Sequence, residues 1–90
     1  MTARPNPIRR NGLRARVIRA TARQPRNLSD IVRVIPHETE DTAVRRLRVR
    51  DALATLKRAC LVARTPDGWR ATAAGARLIQ QLESDDARAG

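Results

Sequence analysis

The sequence predicts a mainly α-helical domain with a small β-hairpin, an α+β chain ordered helix, helix, helix, hairpin, helix. Three observations lead there. Val49, Leu53, Leu56 and Cys60 recur at steps of four, three and four, the spacing of one buried helix face. Leu13, Val17, Ala20 and Thr21 share a second such stripe, with Ile18 at its edge. Thr65-Pro66-Asp67-Gly68 separates two short extended runs, where proline presets φ and glycine accepts a positive one. Ninety residues, 41% of them hydrophobic, provide one core and no second.

Each element has local cues. Residues 1–11 carry Arg4, Arg9 and Arg10 with Pro5 and Pro7 between them and read as a flexible basic arm. The first helix is expected from near Gly12, with Asn11 as its cap, to a point before Pro25. Asn27-Leu28-Ser29-Asp30 signals the start of a second helix containing Ile31, Val32, Val34 and Ile35, which Pro36 closes. His37 to Asp41 is a polar, acidic connector, and a third helix is expected from about Thr42 to Ala59. Leu61 to Arg64 and Trp69 to Thr72 form the hairpin strands. Thr72 then caps a last helix whose apolar face draws on Ala76, Ile79 and Leu82 or Leu78. The folded domain is expected over 12–83, with a disordered tail over 84–90.

Charge narrows the function. Nineteen basic residues, all but Lys57 arginine, face nine acidic ones, for a formal net charge of +10. No acid precedes Asp30. A GC-rich coding genome explains arginine over lysine but not the net charge, which implies a polyanionic partner. Trp69 is the sole aromatic residue, too few for the base stacking that grips single strands, so duplex is favoured. Trp69 itself reads as a core residue. No apolar run reaches the roughly 18 residues of a membrane span, and no signal-peptide core follows the basic start, so the expected location is cytoplasmic. Cys60 is the only cysteine and reads as an inert core thiol. His37, the only histidine, stands beside Glu38, Glu40 and Asp41 at spacings that match no metal-ligand set; enzymatic activity, metal and cofactor are not expected.

A trihelical core followed by a hairpin is the layout of a winged helix, and three stretches resemble the winged helix-turn-helix superfamily of bacterial regulators. Asn27 to Val32 is similar to the start of the positioning helix. Val49-Arg50-Asp51-Ala52-Leu53-Ala54-Thr55-Leu56-Lys57-Arg58-Ala59-Cys60-Leu61-Val62 resembles a recognition helix running into the first wing strand. Trp69-Arg70-Ala71-Thr72-Ala73-Ala74-Gly75 is similar to the aromatic-x-x-Thr-x-x-Gly that closes many wings. The likeness covers roughly Leu13 to Leu82. Two departures stand out. Cys60 replaces the glycine that usually ends the recognition helix in a left-handed turn. The stretch from Leu28 to Val49 is also about seven residues longer than a tight helix-turn-helix allows. Either the turn is expanded or the third helix gains turns at its start. Val44 and Leu47 point away from the Val49/Leu53/Leu56 stripe, which implies a break near Leu47 or a second apolar contact, such as a dimer partner.

The resemblance implies a sequence-specific double-stranded DNA-binding protein, a transcriptional regulator of repressor type that inserts its third helix in the major groove as a homodimer on a palindromic site. Arg45, Arg46, Arg48 and Arg50 crowd the front of that helix, and Arg48, Asp51, Thr55 and Arg58 lie opposite its buried stripe. Arginine there matches guanine O6 and N7, and a helix N-terminus favours phosphate. Arg64 and Arg70 on the hairpin are placed to straddle a minor groove, and Arg4, Arg9 and Arg10 to follow one or to attract phosphates. A solvated arginine face is the plainer alternative, but most of these arginines lack acidic partners at i±4. Two other functions fit: a winged-helix protein-interaction or assembly module, and a non-specific nucleoid or double-stranded RNA binder. No small-molecule ligand or membrane partner is expected.

Overall fold

The computed structural model describes residues 12–89, with side chains through Ser84. Its elements are α1 (Leu13–Arg23), α2 (Leu28–Val34), α3 (Thr42–Arg58), β1 (Val62–Thr65), β2 (Gly68–Ala71) and α4 (Ala73–Ala89). The order is that expected. The basic arm, with Arg4, Arg9, Arg10 and Asn11, lies outside the described residues. No described helix is long and apolar enough to cross a membrane.

Local chemistry sets the helix ends. The Asn27 side chain accepts from the Asp30 amide at 2.8 Å and so caps α2. Ile35 is extended at ψ 148, the conformation a following proline favours, and α2 stops before it. Asp41 Oδ1 accepts from the amides of Ala43 (2.9 Å) and Val44 (3.3 Å) at the start of α3. Thr72 Oγ1 accepts from the Gly75 amide at 3.1 Å and caps α4. No glycine or proline interrupts the chain from Ala76 to Ala89, and α4 takes in residues 84–89, the stretch assigned above to a tail.

The core joins Ala15, Val17 and Ile18 of α1, Ile31 of α2, Val49, Ala52, Leu53 and Leu56 of α3, Val62 of β1 and Ile79 of α4, with Ile35 beside α2. On α1 the expected stripe is rotated. Ala15, Val17, Ile18 and Thr21 are fully buried, whereas Leu13 and Ala20 are only partly so. Ile18 is central because α1 packs against α2, α3, α4 and β2 and is covered over more than one face. Thr21 tolerates burial because its hydroxyl bonds the carbonyls of Val17 (2.9 Å) and Ile18 (3.1 Å).

The two strands pair antiparallel in the register Val62↔Ala71, Ala63↔Arg70, Arg64↔Trp69 and Thr65↔Gly68. A further bridge, absent from the sequence reading, joins the α1–α2 connector to β2. The Arg26 amide donates to Trp69 O at 3.0 Å, and the Trp69 amide donates to Arg26 O at 2.7 Å. Gln24 is already extended before Pro25, which starts this bridge. Gly68 makes it possible: its φ is +126, and a Cβ there would lie 2.6 Å from the Arg26 carbonyl carbon.

The end of α3 is a Schellman turn, in which Leu61 N–H donates to Leu56 O (2.9 Å) and Cys60 N–H to Lys57 O (3.0 Å). Cys60 takes the left-handed position at φ 61 and is exposed, so it is not the core thiol its spacing indicated. The helix ends at Arg58, two residues before the stripe would bury it. Thr72 clasps this turn: its N–H donates to Leu61 O (3.0 Å) and its hydroxyl to Cys60 O (2.6 Å). A Cβ on Gly75 would lie 2.1 Å from Leu61 O, so α4 meets the turn only through glycine.

Two stability changes of opposite sign follow. Gly75→Ala lowers the free energy of urea unfolding by about 1–3 kcal/mol, because backbone must yield. Cys60→Gly relieves a left-handed side chain, gaining about 1 kcal/mol and about 4–8 °C in Tm, whereas Cys60→Ala keeps the strain and shows no such gain.

Candidate nucleic-acid interface

α3 is one unbroken helix of 17 residues, about 25 Å long, and the seven residues 35–41 separate it from α2. The extra length is thus divided between a seven-residue connector and an unbroken α3 starting at Thr42, where one or the other alone was expected, and the break near Leu47 does not occur. Val49, Ala52, Leu53 and Leu56 are buried against the core, which fixes the rotation of the helix. At 100° per residue the opposite side is a ridge of Leu47, Asp51, Ala54 and Arg58, all exposed. Leu47 is 56% exposed. Val44, beside the ridge, is half-buried.

Cationic side chains line both edges of this ridge. On the edge towards α1, Arg48 shares a depression with Arg14, Leu13, Asp51 and Thr55. Thr55 is half-buried there and does not stand on the outward side. On the other edge, Arg50 and Lys57 line a depression with Leu28, Arg64 and Trp69. Arg46 lies on that same edge by phase, its Nη1 donating to Ser29 Oγ at 3.3 Å.

The hairpin divides its two arginines. Arg64 pairs across from Trp69, while Arg70 pairs across from Ala63 one residue along, so the two face opposite sides of the sheet. Arg64 joins the α3 cations, with Cζ 5.9 Å from the centroid of the Trp69 ring. Arg70 is exposed on the other face and does not join them. Trp69 is half-buried and packs against the core, as its sequence setting indicated.

Arg45 also departs from the expected set. Its phase points it towards the connector, where Nε donates to the Thr39 carbonyl, and it is partly buried. Two further bonds hold that connector: Arg16 Nη1 donates to Pro36 O at 3.1 Å, and the His37 Nε2–H donates to Val32 O at 2.7 Å. His37 thus serves the loop's own backbone. The N-terminus of α3, expected to favour phosphate, is instead occupied by the Asp41 carboxylate.

Intramolecular neutralisation is sparse. Among the described residues, carboxylates lie within 4.0 Å only of Arg19, whose Nε is 3.5 Å from Glu83 Oε1, and of Arg33, which pairs with Asp30. Arg46, Arg48, Arg50 and Arg64 have no such partner there, and neither does Asp51. Sequence spacing indicated the arginines of α3 and named Arg64, which it grouped with Arg70, but it missed Arg14 and Lys57 as members of the same surface. The stepwise phase of α3 contained the signal for Lys57; Arg14 required the packing of α1, and the parting of Arg64 from Arg70 required the hairpin register.

In comparisons with known proteins, no family model matches the chain, and no match is found among curated proteins or solved structures.

The two classes of arginine separate in a stability measurement. Arg45→Ala lowers unfolding free energy by about 1–2 kcal/mol, because the connector loses a charge-assisted bond. Arg48→Ala moves it by no more than about 0.5 kcal/mol in the same urea titration.

Proposed function

We propose that this protein is a winged helix-turn-helix protein that binds duplex DNA sequence-specifically and acts as a transcriptional regulator, with α3 lying side-on in the major groove. One observation carries the reading: α3 presents a ridge of low net charge flanked on both edges by cations that lack carboxylate partners among the described residues. A major groove is about 12 Å wide and bordered by two phosphate strands. A helix of about 10–12 Å diameter fits that width, with Arg48 and Arg14 towards one strand and Arg46, Arg50, Lys57 and Arg64 towards the other. The Asp41 cap disfavours an end-on approach, since it would meet phosphate with a carboxylate. Side-on docking keeps that charge at the end of the contact.

The hairpin lies beside the second edge, as a wing does. Its bridge to Arg26 ties it to the α1–α2 connector, so Arg64 is presented from a supported strand. A polyanion at these edges also relieves the repulsion among the clustered guanidinium groups.

Salt titration of duplex binding tests the reading. Each phosphate contact adds about 0.9 to the slope of log K against log salt. Replacing Arg46, Arg48 and Arg50 by alanine together flattens that slope by about 2.7 if each holds one phosphate. An unchanged slope removes α3 from the interface, and the absence of salt-sensitive duplex binding removes DNA as the partner.

A further inference from the structure

We infer that Leu47 and Asp51 on the ridge of α3 read the bases while the arginines beside it grip phosphates, so that the target is read through a thymine methyl and a cytosine amino group rather than through arginine contacts to guanine. The inference rests on the major-groove docking proposed above. It starts from a misfit in charge. Asp51 is an exposed carboxylate in the middle of a surface with cations on both edges, and no described arginine or lysine lies within 4.0 Å of it. On a face that approaches phosphates, an unpaired carboxylate is repelled. Beyond the attraction of Arg14 and Arg48, which share its depression, its position is favourable where it meets hydrogen-bond donors.

The floor of the major groove supplies them. The cytosine N4 amino group is the donor that Asp and Glu side chains accept from there. Leu47 stands one turn earlier on the same ridge, 56% exposed, with no polar atom in its side chain. Its chemical complement in the groove is the thymine methyl. Ala43 and Ala54, both exposed and small, let the helix axis approach the base edges on either side of this pair. From Leu47 to Ala54 the rise is about 10 Å, the height of about three base pairs. Arg58, at the far end of the ridge, folds back so that Nε donates to Ala54 O at 3.4 Å.

The arginines are poorly placed for the guanine contacts that sequence alone suggested. Arg45 serves the connector, Arg46 and Arg48 leave α3 about a quarter turn or more from the middle of the ridge, and Arg50 leaves it about 70° away. Their position suits the groove walls.

Selection of bound duplexes from a random pool by the full chain tests this, run with wild type, Leu47→Asn, Asp51→Asn and Arg48→Ala, with the salt slope measured for each. Wild type enriches a motif holding a thymine and a cytosine within about three to four base pairs. Asp51→Asn shifts the cytosine position to adenine, whose N6 and N7 an amide matches, changing discrimination there about 5- to 150-fold. Leu47→Asn loses the thymine preference and keeps the slope. Arg48→Ala keeps the motif and flattens the slope by about 0.9. A motif unchanged in both ridge variants, or a guanine preference lost with Arg48→Ala, overturns the inference while leaving DNA binding intact. Failure of wild type to bind duplex in a salt-dependent way overturns the docking itself. Both ridge residues are exposed, and a far-ultraviolet circular dichroism spectrum matching wild type confirms that each variant is folded.

Discussion

The rotation of α3 about its own axis governs the surface this protein offers to a partner. Burial of Val49, Ala52, Leu53 and Leu56 sets that rotation, since turning the helix would expose several apolar side chains at about 1.5–3 kcal/mol each. Every outward feature is a consequence: Leu47 and Asp51 on the ridge, Arg48 on one edge, Arg46, Arg50 and Lys57 on the other. A core constraint thus becomes a constraint on recognition.

The same helix is held at its far end by backbone geometry as well as by the burial of Leu56. Cys60 turns left-handed, Thr72 bonds the carbonyls of Cys60 and Leu61, and Gly75 leaves room for the Leu61 oxygen. These contacts join α3, β1 and α4 within a few ångströms. They determine where the hairpin leaves the core and so bring Arg64 beside Arg50 and Lys57. A left-handed cysteine costs about 1–2 kcal/mol relative to an unstrained residue. The turn persists because its hydrogen bonds and the clasp from Thr72 over-determine it.

The acidic residues organise the cationic surface as much as the arginines do. Asp41 saturates the amides at the front of α3 and steers any polyanion away from that tip. Asp30 and Glu83 neutralise Arg33 and Arg19. Asp51 neutralises no described arginine or lysine, and that is what distinguishes the ridge from its edges. In a molecule of net charge +10, attraction to a polyanion is unselective, and selectivity arises where the surface departs from uniform positive charge.

The sequence by itself determined the order of elements, because its signals are local. Asn27, Pro36 and Asp41-Thr42 bracket helices within a few residues, Pro66-Asp67-Gly68 makes its own turn, and the stripe of α3 is a period of one helix. It also determined the formal net charge of +10. Only the tertiary structure decided which arginines act together. Arg45 was drawn to Thr39 O by the folding-back of the connector, and Arg64 and Arg70 were parted by strand register. Arg14 was brought to Arg48 by the packing of α1 on α3. The bridge from Arg26 to Trp69 and the exposure of Cys60 were likewise settled by where chain segments meet. Side-chain direction at a shared surface depends on contacts between residues far apart in the chain, and a local pattern carries no record of them.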